Sequence, residues 1–309
     1  MTRRVRRGLM SLLLPLLIGC GASSTTSSPA APPSLTTAGA PAPVQAILAA
    51  STIVVGANRM PIGIVVDGTP INDPNATVHV SFYYLDGQDP GTVVGESDTT
   101  YYGRNLPFGV YVTYPNIPKA GAWGLDIAIT IPGMAPATSR LRIDVLENDP
   151  TPALGTPAIS LDTPTAAQPA DLARITSDPQ PHLALYRLSL ADALKEQKPL
   201  AVLFGTPGFC KTATCGPSIQ VMRSLQQRYG DRMNFIHVET YQYPFAESVQ
   251  ATPPRLSAGM TAWNLQSEPW VFIIDAQGII RYKYEGGITD DELNEVIGTA
   301  LQSAPGVQP

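Results

Sequence analysis

Cysteine is scarce: the 309 residues hold three, Cys20, Cys210 and Cys215. None lies between residues 44 and 148, so no disulfide pins the strands read there, and their hydrophobic faces must hold them together. Basic charge is also short. There are 20 Lys and Arg, four of them in the first seven residues, against 25 Asp and Glu. Without those four arginines the net charge is near −9, which argues against nucleic acid or an anionic lipid surface as partner. After residue 20 no apolar run is long enough to span a bilayer.

The first twenty residues have a composition of their own. Arg3, Arg4, Arg6 and Arg7 precede an apolar core from Leu9 to Ile18, and Gly19 stands before Cys20. A basic start, a short apolar core and a small residue before the cut describe a secretory signal, expected over 1–19. Leu17-Ile18-Gly19-Cys20 resembles the bacterial lipobox. That resemblance implies that Cys20 is the lipidated first residue, an anchor holding the protein on the cell membrane outside the cytoplasm. The paired arginines hint at twin-arginine export, but the Phe-Leu that follows in that signal is missing. Residues 20–43, rich in Ser, Thr, Ala and Pro, have little to bury and read as a disordered tether.

From 44 to 148 the hydrophobic period is two. Ile62–Asp67, Thr77–Leu85, Val110–Tyr114, Trp123–Ile131 and Ser139–Leu146 read as strands, punctuated by Asp86-Gly87, Pro118 to Gly121 and Pro132-Gly133. Short strands with turn marks every 8 to 12 residues predict a β-sandwich. The run Lys119-Ala-Gly-Ala-Trp-Gly-Leu-Asp-Ile resembles a late strand of immunoglobulin-like domains. Tyr83, Tyr84, Tyr101, Tyr102, Tyr111 and Tyr114 are either an aromatic binding surface or sheet packing with hydroxyls at the rim. His79 reads as a surface strand residue.

Residues 149–181 are rich in Pro, Ala and Thr and read as a connector, with Leu172 and Ile175 available to dock it. The second domain, 182–303, opens on a helix capped by Ser189. Leu200 to Phe204, between Pro199 and Gly205, reads as a buried strand. Ile219, Val221, Met222, Leu225 and Tyr229 then show helical spacing, and Pro217 suits the first turn. Cys215 therefore falls at a helix N-terminus, where amide groups and the helix dipole are expected to lower its pKa. Asn234–Glu239 reads as a strand parallel to the first. Residues 241–266 lack a clear period, and Thr289-Asp-Asp-Glu292 reads as a capping box.

Cys215-Gly216-Pro217-Ser218 resembles the thioredoxin tetrapeptide Cys-Gly-Pro-Cys with serine in the last place, and Ser267-Glu268-Pro269-Trp270 resembles that family's cis-proline loop. The resemblance covers about the last 120 residues. Together with the sandwich read at 44–148, it implies an immunoglobulin-like sandwich followed by an α/β thioredoxin-like domain acting on protein thiols or disulfides, with no cofactor and no metal. Cys215 would be the nucleophile, Cys210 its resolving partner and Pro269 the cis residue against the sulfur. Gly216, Pro217 and Glu268 would border the substrate. Four residues separate the sulfurs where thioredoxins have two, and the acid those proteins bury in the preceding strand is absent. The Glu268 carboxylate would raise the Cys215 pKa, against the helix effect.

Two other readings stand beside this one. Pro207 with Thr212-Ala-Thr-Cys215 resembles a peroxiredoxin loop, one residue too long. Alternatively the domain is a non-catalytic partner- or copper-binding module. His237 is its one core histidine, a metal ligand or a packed, hydrogen-bonded side chain.

Overall fold

The computed structural model describes residues 43–104, 106–210 and 214–302. The signal read at 1–19, the lipid site at Cys20 and all but the last residue of the tether lie outside the described residues.

Strands β1 (Val44–Leu48), β2 (Ile53–Val54), β3 (Gly56–Ala57), β4 (Met60–Val66), β5 (Thr69–Pro70), β6 (Thr77–Tyr84), β7 (Val93–Asp98), β8 (Thr100–Tyr102), β9 (Val110–Thr113), β10 (Asn116–Ile117), β11 (Gly121–Thr130) and β12 (Ala137–Leu146) fill the N-terminal part. One sheet runs β1-β4-β9-β8 with β5 on β4, another runs β2-β12-β11-β6-β7, and β3 pairs with β10. Alternation explains the core. Val78, Val80 and Phe82 of β6 and Leu125, Ile127 and Ile129 of β11 point to one side and meet Ile62 and Ile64 of β4. The unread strands have physical reasons for escaping notice. β7 is almost wholly exposed and shows no alternation, while β1 sits beside the low-complexity tether yet pairs with β4 from Val44↔Val66 to Leu48↔Ile62.

The tyrosines do not form one surface. Tyr111 is buried and donates to the Asp73 carbonyl at 2.7 Å, whereas Tyr114 is half-exposed and donates to Glu292. His79 pairs with Asp98 across β6 and β7 at 2.7 Å, and that bond raises its pKa.

The second part contains α1 (Leu190–Lys195), β13 (Leu200–Gly205), α2 (Cys215–Tyr229), β14 (Asn234–Glu239), α3 (Phe245–Gln250), α4 (Ala258–Ala262), β15 (Trp270–Ile274), β16 (Ile280–Glu285) and α5 (Asp290–Gln302). The sheet order is β14-β13-β15-β16, with β14 parallel to β13 and the other pairs antiparallel. β13 is buried on both faces, which is why its sequence is a continuous apolar run. Ala201 and Leu203 join α2 and α5 in one core; Leu200, Val202 and Phe204 join α1, Met260 and Trp263 in the other. The aperiodic stretch 241–266 holds two short helices and two cis peptides, before Pro244 and Pro253. Ser189 caps α1 by accepting from Asp192 N.

Residues 149–181 lie along this second part. Pro157 bridges to Ile279, Ala158 N donates to Gly278 O, and Leu172 is buried with the α2 core. Sandwich and α/β part belong to one compact unit. Two carboxylates fasten them. Glu285, at the end of β16, accepts from Ser51 N and Thr52 N at 2.9 and 2.8 Å and also from Ser267 Oγ. Glu292 of α5 takes the Arg59 guanidinium with both oxygens, at 2.6 and 2.7 Å. The capping box read at 289–292 is thus only partly local: Glu292 N donates to Thr289 Oγ1, but its carboxylate is turned to the sandwich.

Gly286 shows how tight the joint is. Its φ is +82°, and a Cβ there would stand 2.0 Å from the Ala49 carbonyl oxygen. A left-handed backbone costs a side-chain-bearing residue roughly 1–3 kcal/mol before any clash is added. Gly286→Ala is expected to lose at least about 2 kcal/mol in urea unfolding; a variant as stable as the parent would contradict this contact.

Candidate active site

β13 ends at Gly205, close to Cys215 and Pro269. A Cβ on Gly205 would lie 3.7 Å from Pro269 Cβ and 3.9 Å from Cys215 Cβ. The ring and the cysteine therefore share the space that this glycine leaves open. The Glu268–Pro269 peptide is cis, and Pro269 O accepts from Gly286 N at 2.9 Å. Cys210, Cys215, Pro269 and Glu268 are thus brought together from the cysteine loop and from the turn before β15. Gly216 and Pro217, in the first turn of α2, line a cavity of about 530 Å³ with Pro207 and Leu106.

The two sulfurs differ from the sequence expectation. No disulfide joins the two cysteines; Cys210 is partly exposed and Cys215 is only 1 % exposed. The Cys215 amide, at the start of α2, donates to Cys210 Sγ at 3.2 Å. The helix terminus therefore serves the sulfur five residues earlier in the chain. The Cys215 thiol is pushed up well above its usual range, the reverse of the lowering expected from its place on the helix. Its hydrogen bond to Cys210 is the main cause, and burial and the Cys210 charge add to it. A contact with the Thr206 backbone opposes the shift, and the Glu268 carboxylate reinforces it.

A raised folded-state pKa means that the native protein keeps this proton after the unfolded chain has lost its own, at about pH 8.5. Stability from this group is complete below that pH and falls as the pH rises above it. Iodoacetamide is accordingly expected to label Cys210 at least about tenfold faster than Cys215 between pH 7 and 8.5, since the thiolate is the reacting form. Peptide mass mapping of the native protein reads the ratio, and equal labelling would contradict the assignment of the buried thiol. A protonated, buried sulfur also lacks the thiolate that peroxide chemistry at Cys215 requires.

Other side chains of the site escaped the sequence. Tyr241 stands close enough to Glu268 and Cys215 for their charges to raise its phenol pKa, although burial is the larger cause. Nothing marked it, because it opens the aperiodic stretch. The strand before the cysteines has no acid, but β14 brings Glu239 beside Gly205. Glu239 is buried and accepts from Ser177 N and Oγ at 2.7 Å, and Ser177 Oγ also accepts from Gly208 N in the cysteine loop. Ser218 is fully buried, and its hydroxyl has no hydrogen-bond partner among the described residues. His237 is the packed histidine: Nδ1 meets Tyr186 Oη at 2.8 Å, Nε2 meets Gly205 O at 3.1 Å, and burial lowers its pKa.

A four-stranded mixed sheet with helices on its faces, a cysteine pair at a helix start and a cis-proline across the Gly205 gap from Cys215 define the class. Residues 186–301 match the family described as thioredoxin-like domain, and this C-terminal part of the chain is a thioredoxin-like domain. Among solved structures, a Chlorobium tepidum protein described as DsbE, a thiol:disulfide interchange protein, is 16% identical. The match covers 48% of this chain and 98% of that one, with TM-score 0.34. A second thiol:disulfide interchange protein of the thioredoxin family, from Chlorobium tepidum TLS, is 21% identical over 47% and 99% of the two chains, with TM-score 0.29. A DUF4426 family protein of Pseudomonas aeruginosa PAO1 is 12% identical over 30% and 68%, with TM-score 0.24. No curated protein matches the chain. Among the described residues no helix is long and apolar enough to cross a membrane.

Proposed function

We propose that this protein is a membrane-anchored, extracytoplasmic thiol–disulfide oxidoreductase in which Cys210 attacks and Cys215 resolves, the reverse of the roles read from the sequence. The observation that carries the reading is the 3.2 Å donation from the Cys215 amide to Cys210 Sγ, with Cys210 the more exposed residue. A thiolate on Cys210 is favoured by that amide and can be reached by a substrate.

In the reducing direction the Cys210 thiolate attacks one sulfur of a substrate disulfide. A Cys210–substrate disulfide forms, and the other substrate sulfur leaves as a thiolate that takes a proton. Cys215 then gives up its proton and attacks Cys210 Sγ, releasing the second substrate thiol. The substrate gains two electrons, and the protein is left with a Cys210–Cys215 disulfide for an external dithiol to reduce. Run backwards, the same steps oxidise a substrate dithiol. The partners are accordingly protein thiols or disulfides of the cell envelope, and the anchor is lipid on Cys20, supported by the lipobox-like Leu17–Cys20.

The test is catalysis of insulin reduction by dithiothreitol, together with the mass of the protein after oxidation by oxidised glutathione. Accelerated reduction and loss of two hydrogens per chain are expected. An oxidised protein without the intramolecular disulfide would sink the reading. For the anchor, labelled palmitate should enter the wild-type chain and not Cys20→Ser.

A further inference from the structure

The outer face of the sheet β1-β4-β9 has a gap beside the cysteines. Ile47 pairs with Gly63, and extending the register from Ile62↔Tyr111 sets Val110 on the other side of Gly63. Glycine leaves the row empty between two apolar side chains: a Cβ on Gly63 would find nothing nearer than Ile47 O at 4.0 Å. The result is a cavity of about 130 Å³, walled by Val65 and Phe108 as well and closed from the thioredoxin-like side by Thr214 and Gly287. Around it the contact between the two parts is filled. Phe108 and Val110 each come to 3.7 Å of the Cβ position on Gly287, and the Thr214 methyl to 3.5 Å. The cavity therefore borders that interface, and Thr214 in its wall immediately precedes Cys215, whose amide reaches Cys210 Sγ at 3.2 Å.

Size and lining narrow the occupant. An apolar cavity of about 150 Å³ takes up a benzene-sized group and stays dry without one. Ile47, at the rim, is 52 % exposed, so this cavity opens to solvent. An extended chain advances about 3.3–3.6 Å per residue, so a peptide held at Cys210, beside the Cys215 amide and Thr214, can bring the side chain of a near neighbour to this opening. We propose that the sandwich supplies a specificity pocket for the cysteine site, in which the Gly63 gap receives one phenyl or branched aliphatic side chain of a polypeptide disulfide substrate. The proposal rests on the exchange reading for the word substrate, while the preference for an apolar group rests on the cavity alone.

The test uses the full-length protein with dithiothreitol as reductant. Disulfide-linked peptides carry Phe or Ser at either neighbour of the cysteine, and 5,5′-dithiobis(2-nitrobenzoate) serves as a small substrate without side chains. Wild type is expected to reduce the Phe peptides about tenfold faster in kcat/KM, a fraction of what burying a whole ring can supply. Gly63→Leu should bring the two series within twofold while leaving the small disulfide unaffected. Ile47→Ser, a change at the exposed rim that spares the core, should lower the preference about threefold. Toluene should shift the methyl resonances of Val65, Val110 and Thr214 in wild type and not in Gly63→Leu. Equal rates on both series in wild type, a preference that survives Gly63→Leu, or methyl signals that ignore toluene would each overturn the pocket. Turnover of none of the disulfides, with toluene bound and Gly63→Leu blocking it, would overturn the exchange reading and leave the apolar site standing.

Discussion

Cys215→Ser is expected to accumulate a covalent adduct with its substrate through Cys210, and Cys210→Ser is expected to accumulate none. The reason lies in which sulfur is approachable. Cys210 is partly exposed and accepts the first amide of α2. Cys215 is buried, with its thiol pKa raised by the bond to Cys210 and by burial. If Cys210 attacks first, removing Cys215 removes only the second step, and the mixed disulfide persists. If Cys215 attacked first, the trapping variant would be Cys210→Ser. The two assignments thus give opposite bands on a non-reducing gel, and mass mapping of the adduct names the linked cysteine. Steady-state turnover should fall at least about 10³-fold in either variant, because both steps are needed for each cycle. An adduct in Cys210→Ser alone would restore the roles read from the sequence.

Arg59→Ala is expected to have the largest effect on stability. Its guanidinium is 7 % exposed and grips the Glu292 carboxylate, which is 2 % exposed, while donating to the carbonyls of Glu285 and Gly287 at 2.7 Å. Removing one partner of a buried pair leaves a charge without compensation and costs about 3–5 kcal/mol. Two carbonyls also lose their donor, and Tyr114 is left facing a bare carboxylate. At about 2–4 °C per kcal/mol for a chain of this size, Tm should drop by roughly 10 °C. Replacing both charges, Arg59→Met with Glu292→Leu, should recover most of the loss, since an apolar pair of similar volume avoids the desolvation cost. The joint also backs the cysteine site: Gly286 N donates to Pro269 O, and the Thr214 methyl stands 3.5 Å from where a Cβ on Gly287 would lie. Alkylation of Cys215 should therefore speed up in Arg59→Ala and return towards the wild-type rate in the double variant. A single variant that melts with wild type would show that the pair contributes nothing net.

Elements with a local cause were legible in the residues. β13 could be read because a strand buried on both faces must be apolar throughout and was bounded by Pro199 and Gly205. α1 could be read from Ser189 and the residues after it, and β6 and β11 from alternation. Their order was enough to expect a sandwich ahead of a thioredoxin-like part, and the site around Cys210, Cys215, Glu268 and Pro269 was visible in short motifs. What pattern could not carry was any quantity set by contacts between distant segments. Glu292 looked like a capping residue until Arg59, 233 positions away, claimed its carboxylate. Glu239 and Tyr241 approach the cysteines because β14 lies beside β13. Burial of Cys215, 1 % exposed, is not encoded in the tetrapeptide. By itself the sequence determined the strands and helices with a clear period, and that two cysteines lie near the start of α2. Only the tertiary structure decided which sulfur that helix start serves, because a thiol's acidity depends on the dipoles and neighbours that surround it in space.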